Sequence, residues 1–162
     1  MAATDFPVTT AVRFLRERRI PFEPHVYAYE EHGGTGHAAA CLGVDEHAVV
    51  KTLVMETDGR RPLIVLMHGD REVSTKQFAR AIGVKHVDPC SPEAAHRHTG
   101  YTVGGISPFG TRTKIPVYVE SSILALPRIY INGGKRGFLV SIDPRALVET
   151  LQAGEVSAAI PV

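Results

Sequence analysis

The segment Ala48–Asp70, AVVKTLVMETDGRRPLIVLMHGD, holds two apolar runs joined at Asp58-Gly59. Asp-Gly between hydrophobic runs signals a β-hairpin, because both central residues of the tight turn need positive φ. This reading puts an antiparallel strand pair at the centre of the chain. Lys51 interrupts the first run, where strand alternation sends Val50 and Thr52 to one face and Lys51 to the other. Two readings of Lys51 stay open. It is either a lysine snorkelling to water from a sheet edge, or a cation held at a concave site to meet a phosphate or carboxylate.

On the C-terminal side, Ser74 with Gln77 forms a capping box for a helix carrying Phe78, Ala79 and Ile82, stopped at Gly83. KHVD (85–88) reads as a short strand, and Ser91-Pro92 opens a further helix. IPVYVESSI (115–123), RIYING (128–133) and FLVSI (138–142) read as strands, with GGKRG (133–137) a tight turn. Asp143-Pro144 starts a last amphipathic helix with Leu147, Val148 and Leu151 inward. Towards the N-terminus, Thr9 or Thr10 caps a helix with Ala11, Phe14 and Leu15 on one stripe, ended by Pro21. FEPHVYAY (22–29) reads as a short strand, with Pro24 arguing for an edge or a strand start, and HAAACLGV (37–44) as a short helix stopped near Gly43. Strands and helices are mixed and at least two hairpins occur. The expected class is therefore α/β (α+β), with a mixed or largely antiparallel sheet rather than regular β-α-β winding.

At 162 residues, 44% hydrophobic and 22% charged, the chain reads as one domain, 1–162, able to bury a real core. Eighteen cations against seventeen anions give no electrostatic footprint for generic DNA binding. No run reaches the roughly 18 apolar residues of a membrane span, and the N-terminus lacks a signal-peptide pattern. The expectation is a cytoplasmic protein with no membrane partner. Cys41 and Cys90 match neither a zinc spacing nor a C-x-x-C pair; Cys90, at a helix start, is expected to be the more reactive. His96 and His98 point to different helix faces, and His32 and His37 lack a third ligand of obvious spacing, so no metal is expected. Nor does any nucleophile elbow, P-loop or dinucleotide fingerprint appear.

The stretch Gly100–Lys114, GYTVGGISPFGTRTK, places four glycines within eleven residues. As structure, Gly104-Gly105 and Pro108-Phe109-Gly110 are turns. As chemistry, successive main-chain N–H groups could cradle an anion or a developing oxyanion. Arg112, Lys114, Lys135 and Arg136 would then supply a modest basic rim.

VVKTLV, DREVSTKQFARAIG, TGYTVGGISPFG and INGGKRG, in that order, resemble the YbaK/EbsC family of aminoacyl-tRNA deacylases, relatives of the editing domain of bacterial prolyl-tRNA synthetase. The resemblance implies a sheet curled towards a barrel and surrounded by helices. It implies a trans-editing hydrolase that deacylates misacylated tRNA, Cys-tRNA(Pro) or another small amino acid on tRNA, with no cofactor and no metal. Carried over by residue, Lys51 engages the terminal adenosine or its phosphate and works with Gly104 and Gly105. Ile106, Ser107 and Pro108 complete the pocket wall, Tyr27 or Tyr29 contacts substrate, and Gly134, Lys135 and Arg136 bind from the neighbouring turn. The substrate's own thiol attacks in relatives that handle cysteine, so neither cysteine here is needed as nucleophile. Implied partners are the tRNA acceptor end and a prolyl- or cysteinyl-tRNA synthetase, with a monomer expected and a dimer left open. Some relatives carry an acidic residue where Leu139 stands, which loosens any inference of amino-acid specificity. The alternative reading is a non-catalytic module that binds a tRNA acceptor end or an adenine-containing small molecule.

Overall fold

The structure, a computed structural model, describes residues 5–162; residues 1–4 of the expected domain lie outside it. Helix α1 (Thr10–Glu17) is capped by Thr9, whose hydroxyl accepts from the Val12 amide. It buries Ala11, Val12 and Leu15, while Phe14, expected inside, is only half-buried beneath the Arg18 guanidinium. Strand β1 (Glu23–Val26) and helix α2 (Gly34–Leu42) follow. The central hairpin forms, with β2 (Val49–Thr57) and β3 (Pro62–His68) paired antiparallel from Val50 opposite His68 to Glu56 opposite Pro62. Its turn differs from the expected two-residue one: neither Asp58 nor Gly59 takes positive φ, Arg60 does (φ 58°), and Arg60 N donates to Thr57 O. Next come β4 (Arg71–Val73), α3 (Thr75–Ile82), β5 (Val87–Pro89) and α4 (Pro92–Thr99). Ser74 and Ser91 cap the two helices by accepting from Gln77 N and Ala94 N. After the glycine-rich loop the chain forms β6 (Val117–Glu120), β7 (Ile129–Lys135), β8 (Phe138–Ile142), α5 (Pro144–Leu151), β9 (Gly154–Val156) and β10 (Ala159–Pro161).

Among the described residues one sheet runs β1-β8-β7-β2-β3-β6-β9, with β5 also on β2, and β4 pairs β10 separately. Parallel contacts (β2 with β7, β3 with β6, β6 with β9) stand among antiparallel ones, so the sheet is mixed as expected, and it does not close. On one face Val50, Val54, Ile64 and Leu66 pack under α1 and α5, together with Phe109 and Phe138. On the other, Met55, Leu63 and Val65 meet Phe78 and Ala79 of α3. Full burial of each such side chain contributes about 1.5–3 kcal/mol. Ala38 and Ala39 of α2 cover Val49 and Leu139. No helix among the described residues is long and apolar enough to cross a membrane.

One feature of this sheet positions the site. β7 pairs with β2 only at Val49 and Val50, and β5 only at Met55, Glu56 and Thr57, with Cys90 N also donating to Val54 O. Gly69 N donates to Val49 O and Thr57 N to Arg61 O, which fixes the odd-numbered residues of β2 as those bonded to β3. Antiparallel pairing alternates bonded and non-bonded pairs. The N–H and C=O of Thr52 therefore point away from β3, into the split between β7 and β5.

Candidate functional site

A cavity of about 370 Å³ opens at this split. Val49–Leu53 of β2 form its floor, α2 contributes Thr35, His37 and Ala38, and β8 contributes Leu139. Tyr27 and Tyr29, on the chain leaving β1, meet Val103, Gly104 and Ile106 across it, with Asn132 beside them. The structure thus brings Tyr27, Tyr29, Lys51, Gly104 and Ile106 together. It leaves Gly105, Ser107, Pro108, Gly134, Lys135 and Arg136 off the cavity wall.

Lys51 is half-buried, and its Nζ donates to the carbonyl of Gly69 at 3.5 Å. Burial pushes its pKa below the ordinary lysine value, an effect that Glu72, Glu46 and Asp70 partly offset. Beside it, Thr35 Oγ1 donates to Glu46 Oε2 at 2.8 Å and lies 3.3 Å from Gly69 O, tying α2 to the end of β3. Lys51 is therefore a half-buried cation bordering a concave space, not one projecting into bulk water.

The glycine-rich loop departs from expectation. Gly105 N donates to Thr102 O at 2.8 Å, so that amide is spent on a turn and is not offered to an anion. A Cβ on Gly105 would lie 2.8 Å from Arg136 N and 2.9 Å from Lys135 C, and main-chain atoms cannot step aside cheaply. Gly104 adopts φ +94°, and a Cβ there would sit 2.8 Å from Tyr29 Oη. The glycines are therefore explained by the close approach of the β7–β8 turn. Ser107 and Pro108 are buried, and Ser107 Oγ accepts from Phe109 N, which holds the loop from inside. Asn132 latches both segments. Its Nδ2 donates to Gly104 O at 3.1 Å, and its Oδ1 accepts from Gly134 N at 2.7 Å and Lys135 N at 3.1 Å. Lys135 and Arg136 stand exposed at the rim.

The sequence reading missed Thr52, Thr35, His37 and Asn132. Thr52 Oγ1 is buried and has no hydrogen-bond partner among the described residues. Its signal was available: a hydroxyl stands on the inward face of an otherwise apolar alternation, beside Val50 and Val54. His47, His68 and Asp70 also cluster unforeseen, with ring and carboxylate atoms within 4.8 Å of one another. Both nitrogens of His68 are engaged, with His47 O at 2.7 Å and Ser122 Oγ at 2.8 Å, and its ring stacks on that of His47. Stacked parallel rings do not aim their lone pairs at a common point, so the cluster reads as a hydrogen-bonded brace. Cys90 also corrects expectation: burial, then the carboxylate of Glu56, pushes its thiol up to about 11. That opposes the lowering expected of a helix start and keeps the Cys90 thiol protonated at neutral pH. Both cysteines are free thiols.

The model of the aminoacyl-tRNA editing domain matches residues 31–150. EbsC of Enterococcus faecalis, provisionally named a Cys-tRNA(Pro)/Cys-tRNA(Cys) deacylase, is 28% identical over 141 residues, covering 86% of either chain. A proline–tRNA ligase of Moorella thermoacetica is 31% identical over 104 residues, which make up 64% of this chain and 18% of the ligase. Among solved structures, hypothetical protein APE2540 superposes with a TM-score of 0.86 at 24% identity, covering 93% of this chain and 99% of its own. A structure provisionally described as a trans-editing enzyme for prolyl tRNA synthetase gives 0.80 at 21% identity, covering 98% and 99%. These two likenesses establish the shared fold.

Proposed function

The chain belongs to the family of aminoacyl-tRNA editing domains, and from that premise we propose that residues 1–162 act as one domain hydrolysing the ester between a wrongly attached amino acid and the 3′ end of its tRNA. The observation that carries this reading is the split in the sheet. It leaves a main-chain N–H of Thr52 and the Lys51 cation at one small cavity.

An aminoacyl ester on a ribose hydroxyl is already activated, so its hydrolysis needs a preorganised oxyanion donor and correct orientation more than a side-chain relay. Gly105 N–H is engaged elsewhere, so the donor role passes to Thr52 N–H. One such donor is worth about 10²–10³ in rate. Lys51 meets the phosphate or ribose of the terminal nucleotide, and Gly69 O, itself bonded by Thr35, holds it in place. The attacking group is water or, for cysteine, the substrate's own thiol. The attack displaces the ribose oxygen, which takes up a proton as it leaves.

The cavity admits a small amino acid. Leu139 and Ala38 give it an uncharged wall, which favours uncharged side chains such as those of cysteine, alanine or serine. A net charge of +1 provides little affinity for tRNA phosphates. A prolyl- or cysteinyl-tRNA synthetase in the cytoplasm would then present the mischarged tRNA to a monomer of this chain. The test is incubation with Cys-tRNA(Pro), Ala-tRNA(Pro) and Ser-tRNA while loss of labelled amino acid is followed. Accelerated loss from at least one supports the reading. Binding without loss across the panel replaces it with a non-catalytic acceptor-end module.

A further inference from the structure

We propose that Tyr29, Arg136 and Val103 form a platform at the cavity mouth on which the base of the ester-bearing nucleotide stacks; this rests on the editing reading. Tyr29 and Val103 are among the few large hydrophobic side chains left open to water, 39% and 44% exposed. Scattered apolar residues on a surface need no explanation, but these two are joined. Arg136 Nε donates to Val103 O at 3.0 Å, and its guanidinium carbon lies 5.4 Å from the centre of the Tyr29 ring. The assembly is built into the fold from three separate segments. Gly104 takes φ +94° where any Cβ would strike Tyr29 Oη and Arg136 Nε, and Tyr27 N donates to Gly137 O at 2.9 Å.

Covalent connectivity dictates what lies there. The ester and the base hang from the same ribose, so a substrate with its ester at Thr52 must leave its base within one sugar's width of the mouth. Tyr29, Val103 and Gly104 line that mouth. Single-stranded nucleotides are held by stacking on aromatic rings and guanidinium planes, tolerant of base identity because every base has a π-face. Arg136 offers such a plane, and with Lys135 it adds positive charge facing the phosphodiester. The chemical class recognised is therefore an unpaired 3′-terminal nucleotide, with its base outside the cavity.

The test uses an aminoacylated RNA hairpin ending in an unpaired nucleotide, and the same hairpin with that nucleotide's base removed. Wild-type protein should hydrolyse the base-less hairpin with KM raised about tenfold. Tyr29→Leu and Arg136→Ala should each raise KM on the intact hairpin by about the same factor, and that penalty should vanish on the base-less one. Circular dichroism melting checks that both variants fold. Equal KM for the two hairpins with wild-type protein, or variant penalties that persist without the base, would overturn the platform and leave the editing reading standing. Failure of wild-type protein to hydrolyse either hairpin would instead overturn the editing reading itself.

Discussion

The imidazole of His47 lies face to face on that of His68, with ring centroids 3.7 Å apart and planes 8° from parallel. His68 is fully buried; its Nδ1 donates to His47 O, and its Nε2 lies 2.8 Å from Ser122 Oγ, whose own hydroxyl donates to Glu120 Oε2. Burial first, and then the His47 charge, hold its pKa below the ordinary 6.5 against the raising effects of the His47 carbonyl, Asp70 and Glu120. The unfolded chain therefore binds a proton at His68 at a higher pH than the fold does. Stability is lost as pH falls from 6.5 towards the lowered value. The urea midpoint should decline across that window. His68→Gln should lower the midpoint at neutral pH and flatten the decline; an unchanged slope would place the acid sensitivity elsewhere.

Lys51 is the cation of the cavity, and burial has made its charge easier to lose. Lys51→Ala should fold and lose deacylation by about 10- to 100-fold, the usual worth of a charge-assisted hydrogen bond. With the lysine in place, the charged form persists only below the depressed pKa. After subtraction of spontaneous hydrolysis, activity should therefore fall on an alkaline limb below 10.5. Lys51→Arg should move that limb upward, because guanidinium keeps its charge. A limb that stays put in the arginine variant would assign it to another group.

Gly105 tests the contact between the glycine-rich loop and the β7–β8 turn. A valine there drives its Cβ into the main chain of Lys135 and Arg136. Overpacking against backbone costs about 1–3 kcal/mol. Gly105→Val should lower the melting temperature and, by lifting Gly104 and Ile106 off the cavity, reduce deacylation with it. A variant that melts and deacylates like wild type would contradict the close approach.

What could be read in the sequence was local. Asp58-Gly59 announced the place of the hairpin but not its turn, whose left-handed residue is Arg60, and the caps at Thr9, Ser74, Ser91 and Asp143 are settled within one helical turn. Lys51 stood out because it broke an apolar run. Long-range relations stayed hidden. Glycines at 104 and 105 announced that something lies close, but not that it is the turn thirty residues on. Cys90 was misjudged because the helix start is local, whereas Glu56 reaches it from β2. The split at Thr52 exists only because β7 leaves β2 early and β5 joins late, and no window of sequence records both. The strands β9 and β10, three residues each, carry too little pattern to be seen.

Thr52 separates stability from function. Its hydroxyl is buried without a partner, a state that costs about 1–3 kcal/mol when nothing fills it. Thr52→Val exchanges that hydroxyl for a methyl of nearly equal size while the main-chain N–H stays in place. If the cost is tolerated because substrate supplies the missing partner, the valine variant should melt higher than wild type and yet deacylate several-fold more slowly. Thr52→Ser, which restores a hydroxyl, should recover most of the rate without the gain in melting temperature. Thermal melts and single-turnover deacylation on the three proteins decide it. A valine variant with unchanged rate would show that the hydroxyl meets nothing in the reaction, leaving only the Thr52 amide at the split.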